Sequence, residues 1–167
     1  MSNIKIWNWD KKPRTMLRFI KPGDIFCLKI NNNRYAFGRI VSKILGGHAA
    51  EFFNIFLPTP NIDESHLKEA DTLLPVQLID SYSLFDKKIE NDSDWRIIGH
   101  NENYKPINMN NIYFVYGLEG SCKKIDIFDN ETIASEADIR KYPRLNPLGD
   151  HDIKLILGSV RNHLKLI

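Results

Sequence analysis

The chain is poor in cysteine and has no long apolar run. Its two cysteines, Cys27 and Cys122, could form one disulfide at most, and the early charges are not followed by the apolar stretch of a secretory signal. Because no secretory signal is apparent, we expect a cytoplasmic protein. Disulfides are rare in that reducing compartment, so we expect both cysteines to be small apolar residues. No apolar run approaches the ~20 residues of a membrane span, so no membrane partner is expected.

Neither sign of charge is in clear excess. The chain of 167 residues has 23 basic and 21 acidic side chains, which give a formal net charge of +2. Nucleic-acid-binding domains usually carry a large and clustered basic excess, so direct nucleic-acid binding is not expected. Hydrophobic residues make up 43% and charged residues 26%, which is typical of a globular protein. The length predicts one domain that spans residues 1–167.

The sequence also lacks the motifs of common enzyme sites. It has no GxSxG, no Walker loop and no GxGxxG. The carboxylates between residues 86 and 94 could pair for acid–base chemistry, but such a charged loop is usually only solvated. The histidines show no metal-ligand spacing, and we expect them to be exposed and uncommitted; they are His48, His66, His100, His151 and His163. We therefore predict no catalytic residue, no cofactor and no metal site, and expect a protein that is not an enzyme.

The clearest positive signal is a β-hairpin. Alternating apolar residues predict strands at Ile25–Ile30 and Arg34–Val41, and the polar run Asn31-Asn32-Asn33 closes the turn between them. Gly38 lies in the middle of the second strand, where glycine usually marks a bulge or a close backbone approach. A helical turn is expected near Asp63. Further strands are predicted at Glu51–Leu57, Pro75–Leu84, Trp95–Gly99, Ile112–Leu118 and Lys124–Phe128.

The C-terminal segment changes to a helical period. Its apolar residues recur at three and four positions; they are Ile153, Ile156, Leu157, Val160 and Leu164. This pattern predicts a helix packed on the sheet, with a helix offered to a partner as the alternative. Gly158 inside it suggests close packing against a neighbour. The predicted fold class is α+β: a strongly twisted, mainly antiparallel sheet of about six to eight strands with a C-terminal amphipathic helix packed on it.

Three short motifs resemble those of the immunity protein 26 family, small bacterial proteins encoded beside polymorphic toxins. In that family a Gly-Asp pair opens a strand, an aromatic-Gly pair follows across a short turn, and a tryptophan comes later. The corresponding segments here are Pro22-Gly23-Asp24-Ile25-Phe26, Tyr35-Ala36-Phe37-Gly38-Arg39 and Trp95-Arg96-Ile97-Ile98-Gly99. The resemblance implies a cytoplasmic immunity protein that binds and neutralises the C-terminal domain of one cognate toxin, for instance in contact-dependent growth inhibition. It brings no catalytic residues with it.

Two acidic stretches and two tryptophans are candidates for the toxin-binding surface. Many contact-delivered toxins are nucleases with basic clefts, and an inhibitor gains association rate and specificity by presenting the opposite charge. The candidate residues are Asp63, Glu64, Glu69, Asp71, Glu90, Asp92, Asp94, Trp7 and Trp9. The two tryptophans are predicted to share one face of an N-terminal strand, where they could cover a core edge, anchor a protein or stack on bases. A nucleic-acid or small-ligand binding module on a curved sheet is therefore the alternative function.

Overall fold

A computed structural model of the chain describes residues 3–9, 19–85 and 93–164. Within those ranges it contains nine strands and four helices. The strands are β1 (Ile4–Ile6), β2 (Asp24–Asn31), β3 (Arg34–Ile44), β4 (Gly47–Leu57), β5 (Thr72–Ile79), β6 (Trp95–Asn101), β7 (Tyr113–Tyr116), β8 (Lys123–Asp126) and β9 (Glu131–Ile133). The helices are α1 (Glu64–Lys68), α2 (Ser81–Phe85), α3 (Glu136–Lys141) and α4 (Asp150–Leu164).

Six strands form an antiparallel main sheet in the order β1-β6-β2-β3-β4-β5. The predicted hairpin is its centre: β2 pairs with β3, and Cys27 lies opposite Phe37. Because side chains alternate between the two faces of a strand, Phe26 and Leu28 point into one apolar cluster, while Ile25 and Cys27 point into another on the opposite side. The predicted α+β class, with a mainly antiparallel sheet and a C-terminal helix, is confirmed.

Gly38 lets two strands and an aromatic ring meet in the middle of this sheet. A Cβ atom at this position would lie 2.3 Å from Cζ of Phe26 and 2.4 Å from the carbonyl oxygen of Glu51. The β3–β4 register also shifts between Ala36 and Gly38. The sequence-based expectation of a bulge and a close approach at Gly38 is therefore confirmed, and its physical reason is the space that the Phe26 ring occupies.

One face of the main sheet, which we call the α4 face, is covered by helices. Its core contains Phe26, Phe52 and Trp95, and the ring of Trp95 lies 5.5 Å from that of Phe26 and 6.3 Å from that of Phe52. Ile153 and Leu157 of α4 pack into the same core. The predicted docking of the C-terminal helix on the sheet is thus confirmed.

The opposite face, which we call the α1 face, has a smaller core. Its buried residues are Ile25, Cys27, Phe37, Phe53, Ile62 and Ile98. No helix longer than the five residues of α1 packs here within the described part of the chain. Half-buried apolar side chains therefore remain at its margin, among them Tyr35, Ile55 and Leu57.

A second, three-stranded sheet with the order β7-β8-β9 packs against the main sheet. Phe114 and Ile125 from the small sheet meet Ile44 and Leu78 from the main sheet in one apolar cluster. On the other side of the small sheet, the ammonium group of Lys124 binds Asp138 of α3 at 3.0 Å. The strands predicted at Ile112–Leu118 and Lys124–Phe128 exist and pair, although both are shorter than predicted.

The strand predicted at Pro75–Leu84 is wrong at both ends. β5 begins at Thr72 and ends at Ile79, and Ser81–Phe85 is the helix α2. Pro75 lies inside the strand rather than at its start. The sheet tolerates it because β5 is an edge strand, and because the register with β4 shifts between the pairs Phe52–Leu74 and Ala50–Gln77. The strand predicted at Glu51–Leu57 is longer than predicted, since β4 starts at Gly47.

The expectation for Gly158 is wrong as well. This glycine is exposed on α4, and a Cβ atom there would have no neighbour within 4 Å. The apolar face of α4 is confirmed for Ile153, Ile156, Leu157 and Val160, whereas the side chain of Leu164 lies outside the described part. None of the helices in the described ranges has the length and apolar character that crossing a membrane requires.

Candidate functional site

Trp7 and Trp9 lie on opposite faces of the main sheet, so the prediction that they share one strand face is wrong. β1 ends at Ile6, and Asn8 adopts a left-handed conformation with φ of 59°. The amides of both Trp7 and Asn8 donate to the carbonyl oxygen of Ile98, at 2.8 and 3.0 Å. This local turn breaks the strict alternation of an extended strand, and alternation was the only basis for the prediction.

Trp7 is tied to the α4 face. Its ring packs at the margin of the core that contains Trp95. Its indole Nε1–H donates to the carbonyl oxygen of Ile97 at 2.9 Å. The ring therefore packs on the core and the N–H is hydrogen-bonded, so Trp7 covers the edge of this core.

Trp9 belongs to the α1 face, where it forms an aromatic–cationic cluster. Its ring lies 5.8 Å from the ring of Tyr35 in an edge-to-face arrangement, and the guanidinium group of Arg96 lies 4.5 Å from its centroid. Nη1 of Arg96 also donates to the carbonyl oxygen of Trp9 at 2.6 Å. All three side chains are half-buried. Tyr35 and Arg96 are missing from the sequence-based candidates, because only the pairing of strands brings them to Trp9.

The first acidic stretch lies on this same α1 face. Ile62 and Leu67 pack into the core that Trp9 borders, and the amide of Ile62 donates to Oδ1 of Asn8 at 3.2 Å. Asp63, directly after Ile62, is the N-cap of α1, as the predicted helical turn required. The structure therefore brings Trp9 and the stretch from Asp63 to Asp71 together. We call Trp9, Tyr35, Arg96 and this acidic stretch the aromatic–acidic face.

The acidic side chains of this face differ in whether they form hydrogen bonds or ion pairs within the protein. Asp63 accepts hydrogen bonds from the hydroxyl of Ser65 and the amide of His66, and these bonds hold the pKa of its carboxyl well below the ordinary value. Glu64 forms an ion pair with Lys68 at 2.7 Å. Glu69 and Asp71 are exposed. The face is thus negatively charged at neutral pH, with Asp63 committed to the fold.

The second acidic stretch does not join this face. Glu90 and Asp92 lie outside the described residues. Asp94 binds Lys154 of α4 at 2.6 Å, and Lys154 also binds Asp150 at 2.9 Å. Asp150 in turn accepts the indole N–H of Trp95 at 2.8 Å. Burial alone would lower the pKa of Lys154, but the hydrogen bonds from its ammonium group to Asp94 and Asp150 outweigh burial and raise the pKa above its ordinary value. Asp94 therefore anchors α4 on the α4 face.

Asp24 and Gly23, the Gly-Asp motif, stabilise a turn of the backbone. Asp24 is fully buried and binds Nδ1 of His100 at 2.9 Å, and its second carboxylate oxygen accepts the amide of Lys21 at 3.1 Å. Gly23 has φ of +88°, and a Cβ atom there would lie 2.5 Å from the carbonyl oxygen of Asn101. The motif thus fixes the turn that starts β2 against the end of β6.

A second polar cluster lies beside this turn and was not predicted. Arg39 binds the buried carboxylate of Glu51 through Nε at 2.6 Å, and its guanidinium group stacks 4.2 Å from the ring of Tyr104. Burial and the charge of Glu51 raise the pKa of Tyr104 to about 12, so its phenol stays protonated. A cleft of about 570 Å³ opens next to it. The alternation in β3 places Arg39 on the α1 side, but Glu51 and Tyr104 become visible only in the pairing.

The histidines are more engaged than the sequence suggested. His48 is buried, and its Nδ1 lies 2.6 Å from the hydroxyl of Ser81. His66 and His100 bind Asp63 and Asp24, while His151 is exposed and the side chain of His163 lies outside the described part. The expectation of exposed, uncommitted histidines is therefore wrong for His48 and His100, whereas His66 is exposed as expected but forms a bond with Asp63. Among the described residues, no three His, Cys, Asp or Glu side chains are grouped as metal ligands.

Both cysteines are free and buried, as expected for small apolar residues. Burial raises the pKa of the Cys27 thiol far above its ordinary value, so it remains a protonated and poorly nucleophilic group at neutral pH.

Comparison with known proteins identifies the family. The family model described as immunity protein 26 matches residues 21–126, which is more than half of the chain, and the chain belongs to this family. The three motifs and the acidic stretch from Asp63 to Asp71 all lie inside the matched region, and Trp9 lies outside it. No curated protein and no solved structure matches the chain. Family membership indicates a role in toxin immunity with a toxin as partner.

Proposed function

We propose that the protein neutralises one cognate bacterial toxin by binding its C-terminal domain in the cytoplasm and covering its active or substrate-binding surface. The whole chain acts as one immunity domain in a polymorphic toxin system of the contact-dependent growth inhibition type. Family membership supports the toxin partner. The observation that carries the proposed surface is the joining of Trp9, Tyr35 and Arg96 with the first acidic stretch on one face.

The composition of this face suits a protein interface. Binding energy at interfaces is concentrated in a few residues, among which Trp, Tyr and Arg are over-represented. On the aromatic–acidic face, Trp9, Tyr35 and Arg96 are half-buried and held together before any partner arrives. Such preorganisation lowers the entropy cost of binding. Exposed Glu69 and Asp71 flank Ala70, which packs against the same core as Trp9 and Tyr35, so their carboxylates would form a polar rim to this centre.

The charge of the rim favours a basic toxin surface. A nuclease needs a positive cleft to hold its substrate, so an acidic rim accelerates encounter with it and discourages neutral or acidic partners. A specific complex would bury about 1,200–2,000 Å² in total, and this area would include neighbouring segments as well. Inhibition then requires no covalent change and no catalysis by the immunity protein.

The alternative is a nucleic-acid or small-ligand binding module, and its nucleic-acid form loses the support of the paired tryptophans. A joint stacking platform of Trp7 and Trp9 does not form, because Trp7 covers the α4 face and Trp9 the α1 face. Two rings on opposite sides of a sheet cannot stack on successive bases of one strand. The inhibitor is therefore the function that the arrangement supports best.

Reversal of the rim charge tests the proposal. The change is Glu69→Lys with Asp71→Lys, which leaves the N-cap Asp63 intact. We expect slower association with the toxin domain encoded by the upstream neighbouring gene, and a weaker salt dependence, because rim charges act mainly on encounter. Stopped-flow or surface-plasmon kinetics at two salt concentrations measure both quantities.

Glu102→Lys is the matched control. Glu102 is also exposed, and it follows the far end of β6, away from Arg96. Its reversal breaks a surface ion pair with Lys5, and such exposed pairs contribute little to stability. Its reversal should leave association unchanged. If the rim variant associates as fast as the parent, the acidic rim has no part in recognition, and charge complementarity must be dropped from the proposal.

A further inference from the structure

A groove on the small sheet is lined by three exposed apolar side chains, which are Leu118, Ile133 and Ile139. It has a volume of about 760 Å³ and runs between the β7–β8 turn at residues 117–122 and helix α3. Leu118 on the turn and Ile133 on β9 are 80% and 86% exposed, and Ile139 of α3 forms the other wall. Cys122 and Ala134 also line the groove. Exposed apolar surface of this kind, rimmed by charges, commonly marks an interaction site.

The free edge of strand β9 borders this groove. On its inner side, the carbonyl of Asn130 accepts the amide of Asp126 at 3.1 Å, and the amide of Ala134 donates to the carbonyl of Cys122 at 3.0 Å. Since hydrogen bonding alternates along an antiparallel pair, Thr132 is directed toward β8, and the main-chain groups of Glu131 and Ile133 point outward. No strand in the described ranges pairs with that outer edge. An extended chain could bind there.

Two charges of opposite sign lie on the α3 wall. Glu136 is in the first turn of α3 and Arg140 in the last, and their side chains are 90% and 82% exposed. Their charged atoms are 3.7 Å apart, a loose contact that a partner can replace without losing a tight ion pair. The groove thus offers an apolar centre with one acidic and one basic group beside it.

We propose that the groove and the edge of β9 together bind an extended segment of a partner protein. Its main chain pairs with Glu131 and Ile133, and an apolar side chain enters between Leu118 and Ile139. One basic and one acidic side chain of the segment pair with Glu136 and Arg140. This is recognition by strand addition, in which main-chain bonds give affinity and side-chain contacts give specificity.

This second surface is separate from the aromatic–acidic face. Tyr35 contacts Trp9 near the start of β3, whereas Ile44 packs against the small sheet at the end of that strand, roughly 30 Å away at the rise of an extended chain. β9 and α3 also lie beyond residue 126, where the family match ends. The proposal therefore goes beyond the proposed function, and it requires no contact with the toxic domain at the other face.

A second copy of the chain is a poorer occupant. Two β9 strands that paired antiparallel about Thr132 would place Glu131 of each copy opposite Ile133 of the other. Each pair would then set a charged side chain against an apolar one, which gains nothing across strands. A segment with an apolar residue opposite Ile133 avoids this mismatch.

A labelled peptide and the full chain test the proposal. The probe is a short peptide with a central leucine between two valines, flanked by one lysine and one glutamate, and fluorescence anisotropy reports its binding. Ile133→Pro removes an outward N–H without breaking the ladder to β8, and Leu118→Asp places a charge in the groove. Each should weaken binding at least about tenfold. Ile107→Asp, at a loop residue 74% exposed, is the matched control and should change nothing.

NMR spectra of the labelled full chain locate the bound peptide. We expect peptide-dependent changes of the amide signals of residues 131–133 and 136–140, and weaker binding when the peptide's two charges are replaced by glutamine. The proposal is overturned if no saturable binding occurs, if the two variants bind like the parent, or if the changes lie elsewhere. Self-association of the chain through β9 without peptide would also overturn it, in favour of a second copy. The toxin-binding proposal is untouched by each of these results.

Discussion

At the scale of single residues, Trp95 links the α4 face of the main sheet to the C-terminal helix. It is 3% exposed, packs against Phe26, Phe52 and Phe85, and donates its indole N–H to Asp150 of α4. One residue thus joins the start of β6 to the C-terminal helix. Phe37 and Phe114, aromatic residues of two other strands, are buried to a similar degree.

Trp95→Ala should lower the free energy of unfolding by roughly 3–5 kcal/mol, because it leaves a cavity and removes one of the hydrogen-bond partners of Asp150, another being Lys154. Native domains have only about 5–15 kcal/mol of stability, so this variant could fail to protect simply by unfolding. Urea denaturation measures the change, and Trp95→Phe, which retains most of the ring, should cost less. A variant that unfolds at the same urea concentration as the parent would contradict the core position.

His48 should make stability depend on pH. Burial, with the nearby charge of Lys43, lowers its pKa from 6.5 to about 4 in the folded protein. Between pH 6.5 and about 4, His48 is therefore protonated in the unfolded chain but neutral in the folded one. The stability that this neutral His48 contributes is fully present above pH 6.5 and decreases as the pH falls toward 4. The contribution is about 3 kcal/mol at most.

The measurement is the free energy of unfolding of the parent and of His48→Gln at several pH values from 7.5 to 4. We expect the variant to be less stable at pH 7.5 but to lose less stability on acidification, because it lacks the group that titrates. Equal pH dependence of the two proteins would show that His48 does not keep its low pKa.

At the level of elements, the sequence predicted what depends on local periodicity. The hairpin, the short helix capped by Asp63 and the amphipathic helix at the C-terminus all follow from spacing and capping within a few residues. The extended strand at Pro75–Leu84 failed for a non-local reason. Residues 81–85 leave the sheet because Leu84 and Phe85 are buried in the core beside Trp95 as a helical turn, and periodicity over so few residues cannot reveal this.

The candidate site was predictable only in part. The acidic stretch and Trp9 were found from residue type, but their juxtaposition depends on the turn at Asn8 and on the bond from Ile62. Arg96 and Tyr35 come from strands that pair with β2 on opposite sides. Strand order is set by tertiary packing, so no local pattern assigns these residues to one face. The part that Asp94 plays in holding α4 could not be predicted, because an acid in a polar loop looks the same in sequence whether it is solvated or anchors a helix.

Helix α4 offers a direct check on the packing of Gly158. Since a Cβ atom there meets nothing within 4 Å, Gly158→Ala should stabilise the protein by about 0.5–1 kcal/mol through the lower backbone entropy of the unfolded chain. Thermal or urea unfolding measures the gain, with Ser159→Ala as the neighbouring exposed control. A loss of stability would mean that the helix is packed against another part of the chain at Gly158.

For the whole molecule, the two tryptophans form a natural pair of controls. Both are half-buried beside β1, but only Trp9 belongs to the aromatic–acidic face. Trp9→Ala should accelerate dissociation of the toxin complex at least about tenfold, because central aromatic anchors act mainly on the dissociation rate. Trp7→Ala should leave that rate nearly unchanged, although it lowers stability. If both variants dissociate like the parent, the toxin binds elsewhere.

The proposed function depends on stoichiometric binding of the chain to a toxin. The most direct measurement is a titration of the purified cognate toxin domain with the purified chain, with complex formation and toxin activity followed in the same samples. We expect a defined complex whose formation abolishes toxin activity in proportion to the chain added, with the chain recovered chemically unchanged. Full toxin activity in the presence of excess folded chain, or complete inhibition by trace amounts of it, would rule out inhibition by stoichiometric binding.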